Sequence, residues 1–320
     1  MISVLICTYN RCDSLRQTLA SLAQMTVPPA LEWELIVVDN NSSDQTCAVV
    51  EEFAASSQLR VRYVFEGNQG LSYARNTGIQ QARGAIVAFT DDDVVLDTHW
   101  LASIAEAFEQ HDCDSVAGKI IAVWPCEKPS WFQESGPYAT ARGIIAFDLG
   151  AKPCDCTAAP PGANWAFRKQ VFEKCGWFRG DLGRKGTALF GGEDIEFYLR
   201  ATRDHKLKIM YTPAAVVYHP VTEERTRKPY FLSWSYNGGR SQIRLQGIPD
   251  WAVCYFGMPR YYLRSLASSF LRWVTSLDST RRFYYQQQTY MYAGFLREAR
   301  ALHQPGTLAV RGKSHAQPAR

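Results

Sequence analysis

The sequence predicts an α/β fold with a mostly parallel central sheet flanked by helices, followed by a helical C-terminal extension. Three observations predict it. Apolar runs alternate with helical patterns through the first third of the 320-residue chain, as right-handed βαβ units require. The runs are near-continuous in Val, Ile and Leu, as in strands covered on both faces. From Pro229 onward the pattern turns to helices alone.

The elements follow in order. ISVLIC reads as the first strand and the stretch from Asp13 to Ala23 as a helix. ELIVVDN is a second strand, and a helix starts near Asp44, an N-cap residue type. VRYVF is a third strand, Leu71 to Ala82 a helix, and GAIVAFT a fourth strand. The stretch from Trp124 to Pro161 is rich in Pro, Gly and aromatic residues and reads as loop, with a short strand expected near Gly143–Phe147. A helix is expected over Glu193–Arg203, then strands at LKIMY and AVVYH. Two long amphipathic helices are expected at Trp251–Thr275 and Arg281–Leu302, before a disordered tail over 303–320. This divides the chain into a catalytic domain over 1–222, with a nucleotide-binding half to 123 and an acceptor half over 124–222, and an extension over 223–302.

Composition narrows the function. Hydrophobic residues make up 46% and charged residues 21%, enough for a sizeable core. The opening MISVLICTYNR lacks the pattern of a secretory signal, and nothing offers the roughly 18 uninterrupted apolar residues of a spanning helix. A cytoplasmic enzyme is expected, at the inner face of the membrane if it docks there. Nine scattered cysteines, with one C-x-C at Cys154 and Cys156, read as free thiols and not as a disulfide frame or zinc site. After Pro220 there are 15 Lys+Arg against 5 Asp+Glu, so the C-terminal third is basic and the rest mildly acidic. No G-x-G-x-x-G follows the first strand, which excludes a Rossmann dehydrogenase. No nucleic-acid recognition module is visible.

The predicted strands end in polar residues: Thr8-Tyr9-Asn10, Asp39-Asn40-Asn41 and Asp91-Asp92-Asp93. Ligands bind beyond the carboxyl ends of such strands. Three adjacent carboxylates repel one another, and a divalent cation bridging to a diphosphate is one use for them. A solvated acidic turn is the other reading. In Gly191-Gly192-Glu193-Asp194-Ile195-Glu196, the acids either favour a helix N-terminus or include a general base.

Six segments then appear in order: TYNR at 8–11, VVDNNSSD at 37–44, EGNQGLSYARNTG at 66–78, FTDDDV at 89–94, PGANWAFRK at 161–169 and GGEDIEF at 191–197. This ordered set resembles glycosyltransferase family 2, the inverting family with the GT-A fold, over roughly residues 1–220. The resemblance implies a nucleotide pocket lined by Thr8, Tyr9 and Arg11. Asp39 would bind the base, usually uracil, with Asn41 nearby. Asn68 and the turn from Gly70 to Asn76, with Arg75, would approach ribose and phosphates. Asp91 and Asp92 would face the nucleotide, and Asp93 would ligate Mn²⁺ or Mg²⁺, with Asp91 and His219 completing the set. Asn164 and Trp165 would meet the sugar. Asp194 would be the catalytic base, with Glu193 beside it in the catalytic pair as an acceptor or sugar contact. The implied partners are a nucleotide-diphospho-sugar, a UDP-sugar first, and a saccharide or lipid-linked acceptor.

The Q-x-x-R-W motif of processive synthases is missing, which points to addition of a single sugar. Trp124, Pro129, Trp131 and Phe132 could pack as an acceptor platform or as core. Arg260, Arg264 and Arg272 recur on one face of a helix rich in aromatics. That face suits an anionic membrane surface, and core packing or a homodimer contact is the alternative. A nucleotide-sugar-binding protein without catalysis is the competing class, opposed by Asp194.

Overall fold

The computed structural model describes residues 1–140, 143–186 and 188–303. Two compact units emerge. The first comprises Met1–Pro125, Ile144–Gly186 and Glu193–Val221, and the second, among the described residues, 126–140, 143, 188–192 and 222–303. The Pro-rich and aromatic loop residues 126–140 and 143, assigned from sequence to an acceptor half, thus group with the helices.

The first unit opens as predicted. Strands β1 (Ile2–Thr8), β2 (Trp33–Asp39), β3 (Val61–Phe65) and β4 (Ile86–Asp91) alternate with helices α1 (Cys12–Ala23), α2 (Thr46–Ser56) and α3 (Leu71–Gln81). The strands pair in parallel, in the order β3-β2-β1-β4. Ile2 to Ile6 are all buried, which is why these strands carry no apolar–polar alternation.

Beyond β4 the sheet becomes mixed. Next in the chain come β5 (Val95–Leu96), α4 (Trp100–Gln110), β6 (Ser115–Val123), β7 (Cys154–Asp155), β8 (Asn164–Arg168), α5 (Gln170–Cys175), α6 (Glu193–Leu199) and β9 (Ile209–Pro220). β8 runs antiparallel between β4 and β6, β6 pairs in parallel with β9, and β5 and β7 pair with β9. The expected strand at Gly143–Phe147 is reduced to a bridge between Phe147 and Ile120. α6 continues into a π turn over Arg200–Asp204.

The two short strands expected at LKIMY and AVVYH form the single strand β9. Its register against β6 jumps from Gly118↔Thr212 to Lys119↔Val216. Pro213 falls in the bulged residues, where no ladder N–H is needed. Gly118 sits at the jump because a Cβ there would overlap the Asn164 amide and the Ala215 carbonyl. The bulge lets Asn164 Nδ2 donate to Lys119 O at 2.9 Å and Ala215 O at 2.8 Å, while its Oδ1 accepts from Trp100 Nε1 at 2.8 Å. One amide thus fastens β8, β6, β9 and α4.

The second unit holds α7 (Lys228–Gln246), a hairpin of β10 (Cys254–Tyr255) and β11 (Met258–Pro259), α8 (Arg260–Thr275) and α9 (Ser279–His303). The helix expected from Trp251 therefore starts nine residues later, behind a turn in which Phe256 and Gly257 take positive φ. The buried Glu298 on α9 is paired with Arg240 at 2.8 Å and Arg244 at 2.5 Å, both on α7. Trp131 stands edge-on to Phe231 and Phe283 within this unit. All nine cysteines are free thiols. The expected tail beyond His303 lies outside the described residues.

Candidate active site

The parallel register aligns the functional ends. Thr8 faces Asp39 across β1–β2, and Cys7 faces Asp91 across β1–β4. The polar residues that close these strands therefore meet at one edge of the sheet.

Just past β4, β5 pairs with β9 so that Val95 lies opposite Tyr218. This pairing brings the end of β9 back to the acidic turn. His219 Nε2 stands 3.4 Å from Asp93 Oδ1, and ligand atoms of Asp91, Asp93 and His219 all lie within 4.8 Å of one another. Burial, then the nearby Asp93 charge, raises the pKa of Asp91. Burial also raises Asp92, to about 6, against the opposing pull of Arg11. The Arg11 Nη1 donates to Asp92 at 3.1 Å and to Asp93 at 3.0 Å. Two crowded carboxylates and an imidazole fit a divalent cation of the Mn²⁺ type by donor chemistry.

A second acidic cluster stands on the first turn of α6. Arg75 of α3 is buried and donates through Nη1 to Glu193 at 3.1 Å and to Asp194 at 2.7 Å. Its guanidinium also lies over the Phe89 and Phe178 rings at 5.9 and 5.4 Å. The other Asp194 oxygen accepts the Gly162 N–H at 2.9 Å. A Cβ on Gly162 would overlap the Arg75 guanidinium, so only glycine permits this approach. Burial and the adjacent Asp194 raise Glu193 to about 7, outweighing Arg75. The Arg75 charge also opposes the rise at Asp91.

The remaining predicted residues divide. Asp39 accepts the Tyr63 hydroxyl at 2.7 Å and the Ser42 N–H at 2.8 Å, which fixes its carboxylate. Asn41 is exposed with positive φ, and Tyr9 is half-buried. Gly70, at φ 146°, precedes α3 and donates its N–H to Asn40 Oδ1 at 2.7 Å. Asn68 offers its carbonyl to Asn40 Nδ2 at 2.7 Å and turns its own amide to Glu66. Asn76 exchanges two bonds with the Phe178 backbone, at 2.9 and 3.0 Å, and so props the 178 loop. Asn164 is buried with its amide committed to the sheet, and Trp165 is buried with its N–H on Ser115 at 2.6 Å. Neither presents a group to a ligand in this arrangement. Trp131 belongs to the helical unit, against Phe231 and Phe283.

Sequence reasoning placed Asn40 in the strand-end triplet but gave it no role of its own, and its buried side chain ties the 66–70 turn to β2. It missed Tyr63, Gly162 and Arg184, whose charge acts on both Asp91 and Glu193. The glycine of PGANW was the one available signal among these.

Comparison with known proteins accords with this geometry. The model of the family described as glycosyl transferase family 2 matches residues 3–176. The chain is 32% identical to the glycosyltransferase AglE of Haloferax volcanii, over 76% of this chain and 73% of that one. It is 25% identical to the glucosyl-dolichyl phosphate glucuronosyltransferase of the same organism, over 75% and 76%. Among solved structures, the mannosyltransferase PcManGT from Pyrobaculum calidifontis, in complex with GDP-Man and Mn²⁺, superposes with a TM-score of 0.55. That match has 17% identity and covers 94% of this chain and 73% of the other.

Proposed function

This chain belongs to glycosyl transferase family 2, and from that premise we propose that it moves one sugar from a UDP-sugar onto an acceptor hydroxyl, with inversion at the anomeric carbon. It is a glycosyltransferase with a GT-A fold. The structural neighbour solved with GDP-Man and Mn²⁺ supports a nucleotide-diphospho-sugar donor and a divalent ion. The relative named for glucosyl-dolichyl phosphate supports a lipid-linked saccharide as acceptor.

The observation that carries the reading is Asp194. Its carboxylate is held by Arg75 and the Gly162 N–H, yet its side chain remains 21% exposed. A base must be held in place and reachable, and Asp194 is both. The acceptor hydroxyl gives its proton to Asp194 as its oxygen bonds to the anomeric carbon. The bond from that carbon to the β-phosphate oxygen breaks, and the nucleoside diphosphate leaves with the electron pair. Asp91, Asp93 and His219 would hold the divalent cation, which offsets the charge of the leaving diphosphate. Arg75 orients Asp194 through the 2.7 Å contact. Asp39 would read the uracil edge from its fixed position beside Tyr63.

The proposal predicts that an α-linked UDP-sugar yields a β-linked product. NMR coupling constants of the product formed with Mn²⁺ check this directly. A retained anomeric configuration would overturn the single displacement, and absence of any transfer or donor cleavage across a donor screen would favour a binding protein.

A further inference from the structure

The helical unit carries an uncovered apolar tip. α8 buries only Ser269 among its 16 residues. Its inner face meets α9, where Tyr262 stacks on Phe295 at 4.5 Å between ring centroids. Its outer face changes character along the axis. Exposed Arg260 and Arg264 come first, followed by Phe270, Leu271 and Val274, each more than half exposed. Leu277, in the turn to α9, is 100% exposed. Residues 270, 271 and 274 neighbour one another on the last turns of α8, and Leu277 follows just beyond the helix end. Four large apolar side chains at one corner gain little from folding where they stand, and such a patch marks an interaction surface.

A basic collar surrounds this corner. Arg272 and Arg281 lie over the Tyr285 ring at 5.5 and 5.9 Å, and Arg272 donates to its hydroxyl at 3.2 Å. Arg281 also lies over Tyr138 at 5.7 Å. Arg282 is exposed next to it. Among the described residues, none of Arg260, Arg264, Arg272, Arg281 and Arg282 pairs with a carboxylate side chain. The acid in the turn, Asp278, accepts the Arg281 backbone N–H at 2.7 Å. Aromatic rings therefore gather Arg272 and Arg281, with which no carboxylate side chain pairs among the described residues.

We propose that the α8–α9 turn docks on an anionic lipid bilayer. Phe270, Leu271, Val274 and Leu277 enter the interface, and the arginines meet lipid phosphates. None of the described helices is long and apolar enough to cross a membrane, so the contact is interfacial. A second copy of this chain is the weaker occupant, because a two-fold contact would set one arginine collar against another. The inference stands on the helical unit alone and is independent of the sugar chemistry.

The test uses the full-length chain with sedimented vesicles of phosphatidylcholine, with and without phosphatidylglycerol. Binding is expected on anionic vesicles, weak on neutral ones, and reversed by salt. Leu277→Glu, and separately Arg281→Glu with Arg282→Glu, should each lower partitioning about tenfold or more. Both sites are exposed, so circular dichroism and UDP-sugar cleavage in solution should match the parent chain, which separates loss of docking from loss of catalysis. The proposal is overturned if the parent chain stays in the supernatant at low salt or if neither variant alters binding. A Leu277-dependent dimer in sedimentation velocity, without vesicle binding, would likewise overturn it in favour of the second copy.

Discussion

Arg75 holds two carboxylates with one nitrogen, at 3.1 and 2.7 Å, from a buried position. Its sequence context placed it near phosphates, because a lone arginine in a helix shows no partner until distant segments meet. Its partners lie more than a hundred positions away, at Glu193 and Asp194. The acids themselves were legible, since adjacent carboxylates at strand and helix ends have few cheap explanations. The family resemblance named Asp194 as the base and Glu193 as its neighbour, but their difference in burial shows only once the chain is folded. Glu193 is buried and raised to about 7, whereas Asp194 keeps contact with solvent. A carboxyl whose pKa is higher folded than unfolded binds its proton more tightly in the native state. That favourable term is present at low pH and fades as pH rises through about 7. Glu193→Gln mimics the protonated form. The variant should match the parent in melting temperature near pH 5 and exceed it near pH 8. Equal differences at both pH values, by thermal unfolding, would show that Glu193 titrates normally.

At the scale of elements, the βαβ half followed from the pattern, while the mixed half did not. The parallel strands announce themselves as apolar runs buried on both faces. β9 hides as two short runs because its bulge interrupts the ladder at Pro213. The α8 boundary was shifted because aromatic residues at 251–256 mimic a helical face, while the turn at Phe256 and Gly257 and the restriction imposed by Pro259 break it. Asn164 illustrates the same limit. Its motif suggested a sugar contact, but the structure spends its amide on Trp100, Lys119 and Ala215. Asn164→Ala removes these bonds and leaves the buried Trp100 N–H without a partner, which should cost about 2–4 kcal/mol of stability. Chemical denaturation checks this. A variant of unchanged stability that binds donor poorly would return Asn164 to the ligand side.

At the scale of the molecule, the acidic and basic parts separate much as the charge count implied. The carboxylates of the proposed reaction lie in the first unit, and the uncovered arginines of α8 and α9 in the second. The ordered motifs made the family legible over the first two-thirds, because each motif sits at an element end where a ligand meets backbone. The helical unit offered only composition and periodicity, which fix helices but not their partners. The central claim is that Asp194 takes the acceptor proton while the Asp91, Asp93 and His219 cluster supports donor binding. Asp194→Asn keeps the shape and removes the base. The most direct measurement is its turnover with UDP-sugar and acceptor, set beside calorimetric UDP affinity in Mn²⁺. The account predicts a rate lower by roughly 10²-fold or more with nearly unchanged UDP affinity. Near-parental turnover in Asp194→Asn would contradict it and move the proton to another group.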